Sequence, residues 1–229
     1  TIKNLTISGA SITATSSYSG VFVGCSMYAL TMVNCHAVNC TVNGHDSVGL
    51  LAGYMKGLGS FSYLKGCTAT GGSVSCSDPT DTSVGALVGQ AHNSSSNLMK
   101  MVGCVGRGVT GGSVLVGYND NNIQIIHSYD GNAYTITAGT GVTITYGAVS
   151  SDYPDVTQPP YIASGETVSL TLSHTSGSDA EFAATNALLN DTFTELSNAT
   201  GNVTITATVR TDISGGTVAD IPTQTWTGS

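Results

Sequence analysis

Apolar triplets closed by glycine punctuate the first half of the chain: Val21-Phe22-Val23-Gly24, Leu50-Leu51-Ala52-Gly53, Ala86-Leu87-Val88-Gly89 and Val114-Leu115-Val116-Gly117. The four glycines, at 24, 53, 89 and 117, stand 29, 36 and 28 residues apart. A second ladder alternates with them at Leu5, Cys35, Cys67, Cys104 and Ser128. Two ladders that keep one order through unequal insertions mark a stacked repeat, and residues 47–72 are its clearest copy.

Within each repeat the polarity pattern predicts a corner. Three positions before the second ladder stand Ile2, Met32, Leu64, Met101 and Ile125, and two positions after it stand Ile7, Ala37 and Ala69. A strand of period two cannot bury both sets unless its parity changes between them. The residue before the ladder is Asn4, Asn34, Gly66 or Gly103, the types that best tolerate positive φ, with His127 in the last copy. Gly53 and Gly66 are expected as corners, Leu51 and Leu64 as core. Equivalent slots in a parallel stack lie about 4.8 Å apart, so Cys35, Cys67 and Cys104 are expected to form an internal column of reduced thiols. A disulfide involving Cys25, Cys40 or Cys76 is the alternative, and metal binding is disfavoured because no CxxC pair exists.

From Ala133 the pattern switches to strict alternation, as in Tyr134/Ile136, Val142/Ile144/Tyr146, Val168/Leu170/Leu172 and Val203/Ile205/Ala207/Val209. These read as half-buried antiparallel strands. Residues 150–165, with Pro154, Pro159 and Pro160, read as a long loop, and residues 180–196 as a short helix. The expected organisation is mainly all-β: a short parallel β-solenoid over 1–131, a small antiparallel β-sandwich or α+β module over 132–212, and a linker toward a missing domain over 213–229.

Charge sharpens this division. Charged residues are only 9% of the chain, and the net charge of −8 is carried by the second half. Five aspartates balance five basic residues up to position 131, whereas nine acids face Arg210 alone beyond it. So acidic a chain is a poor ligand for a phosphate backbone, which sets nucleic acid aside. No apolar run approaches the roughly 18 residues of a membrane span, so no membrane insertion is expected in this segment. Any signal peptide or anchor is expected to lie outside it.

Candidate chemistry is sparse. Asp46, Asp78, Asp81, Asp120 and Asp130 are scattered, and His36, His45, His92, His127 and His174 include no HExxH pair. No GxSxG elbow is present. Asp78 and Asp81 fit an Asp-Pro turn, and residues 119–122 (Asn-Asp-Asn-Asn) fit a turn better than a cation site. The expectation is no catalytic residue, no cofactor and no metal. Tyr54, Tyr63, Tyr118 and Tyr129 fall at repeat edges, and Tyr54 and Tyr118, with the variable hairpin 55–60, are the partner-binding candidates.

The order of motifs in SVGLLAGYMKGLGSFSYLKGCTATGGSV and TSVGALVGQAHNSSSNLMKMVGCVGRG resembles the GLUG repeat, over roughly residues 10–131. The likeness is sharpest at 49–54 with 66–71, and at 85–89 with 103–106. GLUG repeats occur in large exported bacterial proteins, among them adhesin-like chains and accessory parts of IgA-cleaving metallopeptidases. The resemblance implies a right-handed solenoid at the bacterial cell surface, outside the cell, without catalysis. The second half, where ETVSLTLSHT is followed by GNVTITATV, is similar to β-rich modules of bacterial cell-surface proteins. The implied function is a noncatalytic structural or adhesive fragment whose repeat turns meet a host or bacterial surface protein or a glycan. The alternative is a carbohydrate-binding, less readily polysaccharide-processing, module, which an exposed pair of tyrosines beside polar groups would favour.

Overall fold

The computed structural model describes residues 1–57, 61–78, 80, 83–93, 99–120, 123–175 and 180–209. Among them every regular element is a strand. Among the described residues no helix is long and apolar enough to cross a membrane.

Strands up to residue 126 build stacked parallel sheets. One sheet lines up Ile2–Lys3, Thr31–Val33, Ser62–Lys65, Met99–Val102 and Ile123–Ile126. A second places Thr6–Ser8 and Ser11–Thr13 beside His36–Gly44, then Thr68–Cys76 and Val105–Arg107. A short third pairs Val48–Gly49 with Val84–Gly85, and a fourth orders Val23–Ser26, Ala52–Gly57, Val88–Asn93 and Val116–Asn119. The chain visits the sheets in the same sequence on each rung, so equivalent residues lie over one another: Met32 on Leu64 on Met101, and Ala37 on Ala69 on Gly106.

The predicted corner is present in every rung. Asn4, Asn34, Gly66, Gly103 and His127 have φ of 55°, 50°, 58°, 61° and 40°. A second left-handed column, five residues further on, was not read from the sequence: Gly9, Asn39, Gly71 and Gly108, at 65°, 50°, 65° and 66°. It changes the parity again, so Cys40 and Val42 point inward where plain alternation from Cys35 and Ala37 would have buried Asn39 and Thr41.

Gly53 is not a corner. It lies within the strand Ala52–Gly57, and its reason is proximity. A Cβ there would stand 2.5 Å from the Tyr18 carbonyl carbon and 2.7 Å from the Gly24 oxygen. One on Gly89 would stand 2.7 Å from the Gly53 oxygen, and one on Gly49 2.6 Å from the Gly89 nitrogen. The glycines that flank the apolar triplets, on both sides of the first three and after the fourth, thus form two columns in contact, main chain against main chain. The triplet between them turns inward, with Leu50, Leu51 and Leu87 fully buried.

Cys35, Cys67 and Cys104 form the expected internal column, each fully buried and none in a disulfide. Each thiol donates to the carbonyl two residues earlier, of Val33, Lys65 and Val102, at 3.4–3.5 Å. Burial pushes the Cys104 thiol well above its usual range, which keeps it neutral and packing as a small apolar group. The inward columns loosen at the ends of the stack: Leu5, first of the ladder, and Ile125, last of the apolar column three positions before it, are 44% and 45% exposed because no rung lies beyond them. Ser128, in the last cysteine slot, accepts the Cys104 amide at 2.9 Å.

Beyond residue 133 two four-stranded sheets enclose one core that includes Ile136, Ile162, Leu170, Leu196, Val203 and Ile205. Pairing is antiparallel except between Tyr134–Ala138 and Val203–Val209. The expected helix over 180–196 is absent, and with it the α+β option. Ala180–Ala184 is a strand paired with Val203–Val209, and left-handed Asn186 and Phe193 (φ 55° and 56°) separate it from the short paired strands Leu188–Leu189 and Glu195–Ser197. Likewise the expected loop over 150–165 holds Tyr153–Thr157, paired with Ala148–Ser150, and Tyr161–Ile162, paired with Tyr134–Ala138. Pro154 is exposed on the edge of its two-stranded sheet, where its missing N–H does no harm.

This second body packs on the last rung and along the flank beside it, where Lys65 and Lys100 lie over the Tyr153 ring. Val149, Tyr153 and Val156 cover Val102 and Ile126. Tyr129, one of the four tyrosines at repeat edges, is only 3% exposed and joins the two bodies. Its hydroxyl donates to Glu166 at 2.9 Å and accepts from Gln158 at 2.6 Å, and burial pushes its phenol upward. Arg107 donates to the Ala133 carbonyl at 2.7 Å and lies over the Tyr161 ring.

Two outcomes follow from these columns. Gly89→Ala should lower stability by about 3 kcal/mol or more, since only main chain is there to yield, while Gly131→Ala, which faces open space, should shift it by under about 0.5 kcal/mol in urea unfolding. In the native protein a thiol reagent should label exposed Cys25 and spare Cys35, Cys40, Cys67 and Cys104, with all six reacting after unfolding without reductant. Native labelling of Cys67 would contradict the column.

Candidate functional site

The residue after each ladder glycine occupies one slot of the fourth sheet, so Cys25, Tyr54, Gln90 and Tyr118 form a column across neighbouring strands. Tyr118, on the last of these strands, is 46% exposed. Tyr54, by contrast, is 8% exposed. Because Gly53 brings the Tyr18 main chain so close, the Tyr18 ring stacks on Tyr54 with centroids 4.6 Å apart and planes 30° apart. Met55, the start of the expected partner hairpin, is buried at 1% exposure, and residues 58–60 lie outside the described residues. The aromatic ring that reaches solvent beside Tyr54 is Tyr18, at 38%.

Two positions along from this column runs another, containing Lys56 beside His92, with Asp120 at the equivalent slot after Gly117. The imidazole Nδ1 of His92 meets the carboxylate of Asp120 directly. Asp120 also takes a hydrogen bond from Tyr118, and that bond, with the negative charge, pushes the Tyr118 phenol upward. Burial raises the Tyr54 phenol, so both tyrosines remain neutral donors at neutral pH. On the same flank Ser47 donates to Gln90 Oε1 at 2.9 Å.

These groups line an open polar groove of about 560 Å³: Tyr18, Asp46, Ser47, Thr80, Ser83, Gln90, His92, Tyr118 and Asp120. Its wall is conformationally costly. Tyr18 and Ser47 have φ of 68° and 46°, a region that costs a residue with a side chain roughly 1–3 kcal/mol. Asp46 helps to hold Tyr18 there, accepting its amide at the backbone oxygen (3.1 Å) and at Oδ1 (3.3 Å). A second cavity, of about 460 Å³, lies between the last rung and the second body, against Leu115, Ile125, Tyr129 and Tyr134. It is more apolar and less rich in converging polar groups.

The remaining sequence candidates fall apart spatially. Asp78 accepts from the Thr80 amide (2.8 Å) and hydroxyl (2.7 Å), and those bonds hold its carboxyl below the usual range, as the turn reading requires. Asp81 and residues 121–122 lie outside the described residues. Among the described residues no three His, Cys, Asp or Glu side chains converge on a metal position. Tyr63 is half-buried with Lys65 above its ring. Sequence reading missed Tyr18, His92 and Asp120 as a group. Counting three residues beyond Gly53, Gly89 and Gly117 would have placed Lys56, His92 and Asp120 in one column, whereas nothing local marks Tyr18.

In comparisons with known proteins, no family model, curated protein or solved structure matches this chain.

The two tyrosines should separate cleanly in unfolding experiments. Tyr54→Ala should cost about 3–5 kcal/mol, as for other buried aromatic truncations. Tyr118→Ala should stay within about 0.5 kcal/mol of the parent. Equal losses would place Tyr118 in the core.

Proposed function

We propose that this chain is a noncatalytic adhesive and structural piece of a modular bacterial cell-surface protein. In this reading the first half is a right-handed β-solenoid of GLUG-type repeats, the hand following the usual preference of parallel crossovers. The acidic β-sandwich covers its last rung and spaces it from neighbouring parts of the protein. The proposed setting is extracellular, with a host or bacterial surface component as partner.

The observation that carries the reading is the origin of the groove. Gln90 and Tyr118 come from adjacent rungs at one register, with His92 and Asp120 two residues further along. The recognition surface is therefore a by-product of stacking, open to solvent, with its acid and base already paired to each other. Such a surface suits holding a partner rather than enclosing a reaction. A carbohydrate is the more specific reading, favoured by one feature: Tyr18 and Tyr118 are two exposed rings beside carboxylates on the same groove.

Immobilised protein should retain a partner from panels of surface proteins and glycans, and Tyr118→Ala should weaken that retention at least about tenfold, or about 1.4 kcal/mol. Turnover of a polysaccharide by the chain, or retention indifferent to Tyr118, would overturn the proposal.

A further inference from the structure

We infer that the groove selects uncharged saccharides over sialylated or uronic ones, an inference that rests on the partner-binding reading above. The acidic and basic side chains lining the groove, among the described residues, are Asp46, Asp120 and His92. The imidazole of His92 is already committed to Asp120, and among the described residues no Lys or Arg lines the groove. Lys56 neighbours His92 in the sheet but is not part of that lining. An anionic sugar would bring its carboxylate toward two like charges with no unpaired cation to meet it. The hydroxyls of a neutral sugar are donors, and the Asp46 and Asp120 carboxylates are acceptors only.

The rings supply the complementary half. A pyranose has a face of C–H groups that packs on an aromatic plane while its hydroxyls point sideways, and the groove sets Tyr18 and Tyr118 beside the carboxylates. Tyr18 is preorganised for this, backed by Tyr54 at 4.6 Å and held at its unusual φ by Asp46. A ring already ordered in the unliganded protein loses little further freedom on binding. The 560 Å³ volume falls within the roughly 300–1,000 Å³ of small-ligand sites.

The test uses the whole 229-residue chain on a glycan array carrying neutral, sialylated and uronic oligosaccharides, with a surface-protein panel in parallel. Neutral glycans should bind, and their charged counterparts at least tenfold more weakly. Tyr118→Ala and Asp120→Asn should each lose about tenfold or more, with urea midpoints of the parent protein. Tyr28→Ala, which removes a 70% exposed ring outside the groove, should bind as the parent does. Equal or preferential binding of sialylated or uronic glycans would overturn the selectivity and leave the partner-binding reading standing. The same holds for Tyr118-dependent capture of a protein with no glycan bound. Binding of nothing in either panel, or binding indifferent to Tyr118, would overturn both.

Discussion

Main-chain contact between two columns of glycine sets the geometry on which the stack depends. Gly49 and Gly85 on one side meet Gly89 and Gly117 on the other at distances that leave no room for a Cβ. The apolar triplet between them can then fold back while still bonding to the next rung, as when Leu51 donates to Leu87 at 2.8 Å. Its side chains fill the interior, and the strand that leaves it enters the fourth sheet in register with its neighbours. Tyr54 is buried for the same reason: the close approach permitted by Gly53 draws the Tyr18 backbone, and with it a second ring, across its face. Core and groove are two results of one contact.

The corners were legible because left-handed φ is a demand few residues meet. Asn and Gly before each cysteine slot announced it, and His127 with φ 40° shows the position holding its conformation even where the residue type is less suited. The second column at Gly9, Asn39, Gly71 and Gly108 obeys the same rule, yet it lies inside what reads as continuous strand, where a single glycine or asparagine looks incidental. The opposite error befell Gly53. Close approach and positive φ both select glycine, and only the neighbouring rung distinguishes them. Exposure was harder still, since Tyr54 and Tyr118 share a slot, but Tyr54 lies on an inner strand with the Tyr18 ring across it and Tyr118 on the last strand.

In the second half, alternation revealed the long strands and failed at the short ones. Residues 180–196 contain good helix formers such as Ala183, Ala184, Leu188 and Leu189, but the unpaired edge of Val203–Val209 recruits Ala180–Ala184 as a partner. Local propensity lost to a sheet edge some twenty residues away. The joint between the bodies was equally hidden. It depends on Tyr129, Gln158 and Glu166, three residues with no common motif, and on the absence of a side chain at Gly103, where Val156 sits within 2.5 Å of the missing Cβ position.

The unequal intervals between ladder glycines acquire a meaning once the sheets are known. The 36-residue interval exceeds its 29-residue neighbour by additions in two connectors, one between the fourth and first sheets and one between the second and third. An extra residue within a sheet would reverse every side chain after it, but a connector absorbs length and returns the chain to the same slot. The second of these connectors contributes Thr80 and Ser83 to the rim of the groove. Lengthening or shortening it would reshape the rim while the cysteine column and the glycine contacts stayed as they are. For a scaffold of this kind, insertion and deletion offer a gentler route to a differently shaped groove than substitution does.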